Sequence, residues 1–319
     1  MTVRELPPGW EADSVLLLHS AFGASWDPRD LSVQQFEKAY PRPADYLGLC
    51  AVERGRIVSS VAVYRFPFRT RTGDCTCSGL GAVATLPTYS RRGLARRLIE
   101  EAHRRERQSG SRFALLYTGR SIVAHSLYES LDYHDVLDFP SAVRLVPRAK
   151  LALPPGWLWR RAQRDDRRTI EGLRARWGRS RCGFTREGSE WCSGPPPWFA
   201  PGPQGWLVLK HGGSVVGYAG LSTEGRVRAC REGMAEPGLA RSLLLRCLES
   251  EASGKWLLLD SPLVHELRTA PGTHAYTAVE GSHSVLMAKA LDAHLGGSDL
   301  VRELGTDRPD FLFGMADTY

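Results

Sequence analysis

Val83-Ala84-Thr85-Leu86-Pro87-Thr88-Tyr89-Ser90-Arg91-Arg92-Gly93-Leu94-Ala95-Arg96-Arg97-Leu98 passes from an apolar, strand-like run through a basic, glycine-bearing turn into a helix. That order builds a pocket for an anionic, phosphate-bearing ligand. The first backbone N–H groups of a helix have no internal partner, and the helix dipole makes them slightly positive. Gly93 lets a diphosphate approach the backbone closely, and Arg91 and Arg92 add charge. A weaker copy of the helix start, Pro237-Gly238-Leu239-Ala240-Arg241, lies 145 positions further on, counted from Gly93 to Gly238.

Working outward, the spacing predicts a helix over 92–108. Leu94, Ala95, Leu98, Ile99 and Ala102 form its apolar stripe. Glu100 with Arg104 and Glu101 with Arg105 stand at the favourable i,i+4 spacing, and Gly110 marks the stop. Upstream, residues 46–65 read as a hairpin with its turn at 53–56, and 206–221 repeat it with a turn at 210–213. A short apolar strand follows each helix, at 113–117 and at 256–259. A helix precedes each hairpin, at 12–22 and at 165–177. Pro147, Pro154 and Pro155 mark a linker at 146–156. The chain therefore reads as two copies of one α/β unit, 1–147 and 148–319. Segment 193–205, rich in Pro and Gly, reads as a loop that either lines a pocket or simply packs.

Composition narrows the function. A chain of 319 residues holds two domains of about 150 residues each. The net charge of +7 is mostly arginine and is spread over both halves, which argues for a local anion site and against a nucleic-acid surface. The longest apolar runs, such as 15–18, are far too short to span a bilayer. Met1-Thr2-Val3-Arg4-Glu5 has no apolar signal-peptide core, so a cytoplasmic location is expected. The seven cysteines are scattered, which fits a reducing compartment. Cys75-Thr76-Cys77 is the one tight pair, both on one strand face. No second pair or histidine spacing accompanies it, so no metal is expected.

These residues resemble the GNAT superfamily of acyl-CoA-dependent N-acyltransferases. Its turn motif, Pro-x-x-Gln/Arg-x-x-Gly-x-Gly/Ala, reads here Pro87-Thr88-Tyr89-Ser90-Arg91-Arg92-Gly93-Leu94-Ala95, with Ser90 where Gln or Arg is usual. Its downstream helix, Asn-x-x-Ala-x-x-x-Tyr-Glu-x-Leu-Gly-Phe, reads Ser121-Ile122-Val123-Ala124-His125-Ser126-Leu127-Tyr128-Glu129-Ser130-Leu131-Asp132-Tyr133. Ser121 replaces the usual Asn and Asp132 the usual Gly. The second half is a degenerate echo. From Val216 to Gly238 is 22 positions, against 35 from Val58 to Gly93, and Glu236-Pro237 replaces Arg91-Arg92. An intact first unit and a decayed second one resemble the Eis-like acetyltransferases, without their full third domain. Residues 284–292 resemble the strand that follows the second domain of such proteins. The resemblance implies an α/β (α+β) fold of two tandem GNAT-like domains, each a mixed central sheet flanked by helices. Residues 1–147 would hold the intact acyl-CoA motif, and 148–319 the degenerate domain with a C-terminal extension.

The resemblance also implies the chemistry. Acetyl-CoA is the acyl donor and no metal takes part. Val83, Ala84 and Thr85 offer backbone groups to the pantetheine arm in a splayed gap beside 113–117. Ser90, Arg91, Arg92, Gly93, Leu94, Ala95 and Arg96, with Ser121, hold the rest of the cofactor. A backbone N–H near Ala84 polarises the thioester carbonyl, and Tyr128 protonates the leaving thiolate. Candidates for the base are Asp74, Glu53, His125 and the terminal carboxylate of Tyr319, the group Eis-like enzymes are thought to use. The acceptor is a primary amine of a small molecule or a peptide. Segment 25–30, with Asp27 and Asp30, borders its site. The competing reading is a non-catalytic acyl-CoA-binding or regulatory module. Neither nucleic acid nor membrane is an expected partner, and the oligomeric state stays open between monomer and dimer.

Overall fold

The computed structural model describes residues 2–6, 13, 17, 20–21, 46–138, 141–148, 150–163, 165–178, 182–184, 205–236, 238–259, 276–279, 284–292, 294–308 and 311. Segments 25–30 and 193–204, together with Pro237 and Tyr319, lie outside the described residues, as does most of the helix expected at 12–22.

The first sheet is built from β1 (Thr2–Glu5), β2 (Tyr46–Glu53), β3 (Arg56–Arg69), β4 (Asp74–Thr85), β5 (Phe113–Gly119), β6 (His134–Asp138) and a strand from far along the chain. Helix α1 (Leu94–Gln108) joins β4 to β5, and α2 (Val123–Glu129) joins β5 to β6. The second sheet contains β7 (Ser141–Leu145), β8 (Trp157–Arg161), β10 (Gly205–His211), β11 (Ser214–Glu224), β12 (Val227–Ala235), β13 (Trp256–Leu259) and β14 (Thr277–Val279). Helix α3 (Asp166–Gly178) follows β8, and the two-residue β9 (Gly183–Phe184) pairs with the end of β3. Helix α4 (Leu239–Glu251) joins β12 to β13. Strand β15 (Ser284–Ala290) and α5 (Gly297–Leu304) complete the described chain.

Both sheets follow one plan. The first runs β1-β2-β3-β4-β5-β15-β6, and the second β8-β10-β11-β12-β13-β7-β14. In each, the fourth and fifth strands pair in parallel (β4 with β5, β12 with β13), and the other neighbours on these paths are antiparallel. The sixth place is exchanged. Strand β15, late in the chain, lies between β5 and β6, whereas β7 lies between β13 and β14. The strand expected at 284–292 therefore forms, but inside the first sheet. Its composition fits a central place: Val285, Leu286, Met287 and Ala288 are all buried, so both faces are covered.

Helices α1 and α2 cover one face of the first sheet, where Leu98, Ile99 and Ala102 meet Leu49, Val61, Leu116 and Met287. Helix α5 covers the other, packing Leu300 and Leu304 with Phe66, Phe68, Phe113 and Leu286. On the second sheet, α4 buries Leu243, Leu244, Cys247 and Leu248 against Leu207, Leu209, Leu257 and Leu259. Ile170 and Leu173 of α3 pack on its other face with Val208 and Tyr218. Among the described residues no helix is long and apolar enough to cross a membrane. Cys75 and Cys77 share one face of β4, with Sγ atoms 3.9 Å apart.

Candidate active site

The site begins where β4 parts from β5. The two strands pair only from Cys77 with Phe113 to Leu80 with Leu116. Beyond that, β4 runs on to Thr85 beside β3, while β5 runs on to Gly119 beside β15. A register shift opposite Val61, with Ala82 at φ 49, marks a bulge at the point of divergence.

The main-chain directions in the gap follow from planar trans peptides. Leu86 N–H donates to Val58 C=O (2.9 Å), so Ser60 and Ala84 also form a hydrogen-bonded pair. The Ser59 hydroxyl donates to Ala84 C=O at 3.0 Å, which agrees with that carbonyl facing β3. The peptides on either side must point the other way. Val83 C=O, Thr85 N–H and Thr85 C=O therefore face the side that β5 has left. The N–H aimed at the gap is that of Thr85, while Ala84 N–H is taken up by the ladder. The Thr85 hydroxyl pairs with that of Ser59 at 2.8 Å, a contact that nothing in the local pattern announces.

The turn follows at once. A single 3₁₀ turn spans Pro87–Tyr89, and Ser90 N–H closes it on Pro87 C=O. Arg91 at φ 61 and Gly93 at φ 71 then swing the chain into α1. Gly93 is the N-cap and has no side chain to satisfy the first turn, so the N–H groups of Leu94, Ala95 and Arg96 stay available. The space a Cβ on Gly93 would enter is open. Leu94 buries its side chain in the core and offers only its backbone. Arg91 is exposed, with no partner among the described residues. Arg92 lies over the Tyr89 ring at 4.7 Å and donates to Thr88 C=O. The Tyr89 hydroxyl is bonded to Glu53, which raises its pKa. Arg96 ties α1 to the end of α2 through Ser130 C=O (3.2 Å) and Oγ (2.5 Å). Ser121 is exposed in the turn before α2.

Tyr128 closes the site from α2. Its side chain is buried in the cluster that also holds Leu98, Leu116, Val285 and Met287, with Val83, Leu86 and Tyr89 packed against it. Burial raises its pKa to about 12. Its hydroxyl makes no hydrogen bond to a described residue. Its neighbour Tyr133, edge-on at 5.9 Å, is committed differently, because its hydroxyl pairs with buried His103 Nε2 at 2.8 Å.

Of the base candidates, Asp74, Glu53 and His125 lie among the described residues, and each already has a partner. Asp74 starts β4 at the far end from the turn and is held by Arg69, which keeps its carboxyl below the usual range. Glu53 is engaged by Tyr89. His125 Nε2 meets Asp135 at 2.9 Å, and Asp135 also binds Arg120.

The second half has its own junction. Glu236 N–H donates to Val216 C=O (2.8 Å), the same bond that Leu86 makes to Val58. In register, then, Glu236 stands where Leu86 stands, and among the described residues of the second half none occupies the place of Arg91-Arg92. This corrects the glycine-to-glycine alignment, which set Glu236-Pro237 against the two arginines.

Two mixed sheets of one plan, flanked by helices, with the first opened beside an uncapped helix N-terminus, define a mixed α/β fold. Residues 2–135 match the family model of the acetyltransferase (GNAT) domain. No curated protein matches the sequence. In structure the chain is similar to a probable N-acyltransferase from Enterococcus faecalis. The TM-score is 0.68 at 15% identity, over 91% of this chain and 73% of that one. It is also similar to a GCN5-related N-acetyltransferase from Anabaena variabilis, with a TM-score of 0.69 at 10% identity and coverage of 91% and 73%. Eis1 from Mycobacterium abscessus gives a TM-score of 0.60 at 16% identity, over 92% of this chain and 74% of that one. At such identities these likenesses establish the fold alone.

Proposed function

We propose that the protein transfers an acetyl group from acetyl-CoA to a primary amine of a small molecule or peptide, with Tyr128 as general acid. One observation carries this reading. Main-chain groups of Val83 and Thr85 that face away from β3 lie between an uncapped helix N-terminus and the Tyr128 hydroxyl, which no described residue bonds. The donor set fits acetyl-CoA. The N–H groups of Leu94, Ala95 and Arg96, with Arg91, suit a pyrophosphate. The carbonyls of Val83 and Thr85 suit the amides of a pantetheine arm, and Thr85 N–H can polarise an acyl oxygen. When bound, acetyl-CoA supplies the acyl group as an activated thioester. The chain's own residues align it, exclude water and hold one proton at Tyr128 Oη.

A pKa near 12 keeps Tyr128 protonated through the neutral range. The apolar surroundings that raise it also disfavour a bare thiolate beside it, so donor and acceptor shift together. In this reading residues 1–147 apart from β7 form the cofactor-binding domain, completed by β15 and α5, the rest of 148–319 with β7 forms the degenerate one, and the Tyr319 carboxylate takes the proton from the amine. Phe311, tilted against Phe68 with ring centroids 6.1 Å apart, anchors the chain on the first sheet eight residues before Tyr319.

The test is Tyr128→Phe, assayed with acetyl-CoA and a panel of amines by mass spectrometry. Turnover falls by about 100-fold or more while acetyl-CoA binding stays within about twofold. Removal of Tyr319 gives the corresponding loss if its carboxylate is the base. Full turnover by Tyr128→Phe ends the assignment of the acid.

A further inference from the structure

The helix that carries Tyr128 ends in a turn its sequence does not favour. Tyr133 N–H donates to Tyr128 C=O (3.1 Å) and Asp132 N–H to Glu129 C=O (3.0 Å). This is the Schellman pattern, and it sets Tyr128 in the last turn with its ring against that of Tyr133. The pattern needs a left-handed residue, and here that residue is Asp132 at φ 70. Two other helices of this protein end the same way. In α1, Ser111 N–H reaches Glu106 C=O past Gly110 at φ 85. In α5, Thr306 N–H reaches Val301 C=O past Gly305 at φ 75. Both use glycine, which avoids the steric cost that aspartate meets.

The turn with aspartate also has a cation. Lys289 Nζ donates to Leu131 C=O at 2.7 Å and stands 3.6 Å from the Asp132 carboxylate. It therefore grips the peptide before the strained residue and the strained residue's own side chain. A cation at a helix C-terminus is favourable in its own right. Lys289 is largely buried and lies on β15, the strand that the late part of the chain places between β5 and β6. Val285 and Met287 of the same strand pack in the cluster that holds Tyr128.

We propose that Lys289 is a positioning residue for Tyr128, holding the Asp132 turn so that the tyrosine hydroxyl stays aimed at the acyl site. The proposal rests on the reading of Tyr128 as the proton donor. It also gives the exchanged strand a task in the reaction, because a residue from the late part of the chain fixes the acid of the first sheet.

The experiment measures kcat and the KM for acetyl-CoA in full-length Lys289→Met, Lys289→Arg and Asp132→Gly/Lys289→Met proteins, with Tyr128→Phe alongside. Lys289→Met lowers kcat by about tenfold or more and leaves KM within about twofold. Lys289→Arg keeps charge and donors and recovers most of the rate. Asp132→Gly in the Met background removes the strain that Lys289 offsets and restores turnover, a rescue that a general packing defect would not give. Wild-type kcat in Lys289→Met overturns the proposal, as does a loss that neither Arg nor Gly repairs. If Lys289→Met does not fold, the soluble double variant decides: activity supports the proposal and inactivity overturns it. An active Tyr128→Phe would instead remove the acid itself, a separate failure.

Discussion

The two strand–helix junctions begin with the same hydrogen bond and then part company. Leu86 N–H reaches Val58 and Glu236 N–H reaches Val216, so both chains leave the ladder at one register. Residues 87–93 then separate Leu86 from α1, whereas only 237 and 238 separate Glu236 from α4. The opening between strands survives in both halves. β12 pairs with β13 only from Val227 to Cys230, yet continues to Ala235 beside β11. The difference teaches that the sheet makes the gap, while the longer turn sets apart the first junction, where the anion site is proposed. The turn also seats the helix: Leu94 is 3% exposed, and its counterpart Leu239 is 57% exposed.

The comparison breaks most directly by cutting the first junction down to the second. Replacing residues 87–93 by Pro-Gly should weaken acetyl-CoA binding by about 100-fold or more, roughly 2.7 kcal/mol, in calorimetry. The sheet should remain folded by circular dichroism, since the second half folds around such a junction. Binding retained within tenfold would mean that the turn is not what separates the halves.

The helices after the junctions offer a second contrast. With Leu94 set on Leu239, the buried pairs Leu98 and Leu243, Ile99 and Leu244, and Ala102 and Cys247 coincide. His103 then falls on Leu248. Burial, with the charges of Lys289 and Arg107, lowers the His103 pKa from 6.5 to about 3. The unfolded chain therefore binds a proton below pH 6.5 that the folded chain refuses until about pH 3. This stability is fully present above pH 6.5 and drains away as the pH falls, by up to about 1.4 kcal/mol per unit. Glu101, lowered from 4.5 to about 2, adds its own loss only below pH 4.5. Between pH 6.5 and 4.5, His103→Leu should flatten the dependence by about one proton. At neutral pH it should cost about 1–3 kcal/mol, because the Tyr133 hydroxyl loses its partner. Denaturant melts across that window read both effects, and parallel profiles would refute the buried neutral histidine.

Much of this was open to reading in the chain, and what was hidden is physically explicable. The stripe of Leu94, Leu98, Ile99 and Ala102 repeats at helical period, and all four are buried. The Arg91–Gly93 turn was legible because helix starts have local chemistry. Strand exchange was not. Val285 to Ala288 declare that both faces are covered, but alternation carries no information about which strands lie alongside. Lys289 was invisible for the same reason, since its partners Leu131 and Asp132 lie far away in sequence. Asp132, standing where the family has glycine, was the one local hint. The alignment at Glu236 failed because it matched glycines, while the ladder is set by hydrogen bonds upstream of them.

The smallest expected effects come from the two glycines themselves, and they should cross. Gly93 holds φ 71 and ψ 14, a left-handed conformation that other residues adopt at a cost of about 1 kcal/mol. Gly238 holds φ 87 and ψ −135, a region all but closed to side chains, where the cost is about 1–3 kcal/mol. Neither Cβ would meet an atom within 4 Å, so the strain is conformational in both. Gly238→Ala should therefore lose more stability, while its KM for acetyl-CoA stays at the wild-type value. Gly93→Ala should lose less stability but raise that KM by about tenfold, because its Cβ enters the space a diphosphate needs to reach the first N–H groups of α1. Thermal melts and initial-rate kinetics on the two variants measure both axes. If KM rises in both or in neither, strain alone would explain the pair, and the two junctions would not differ in function as they do in shape.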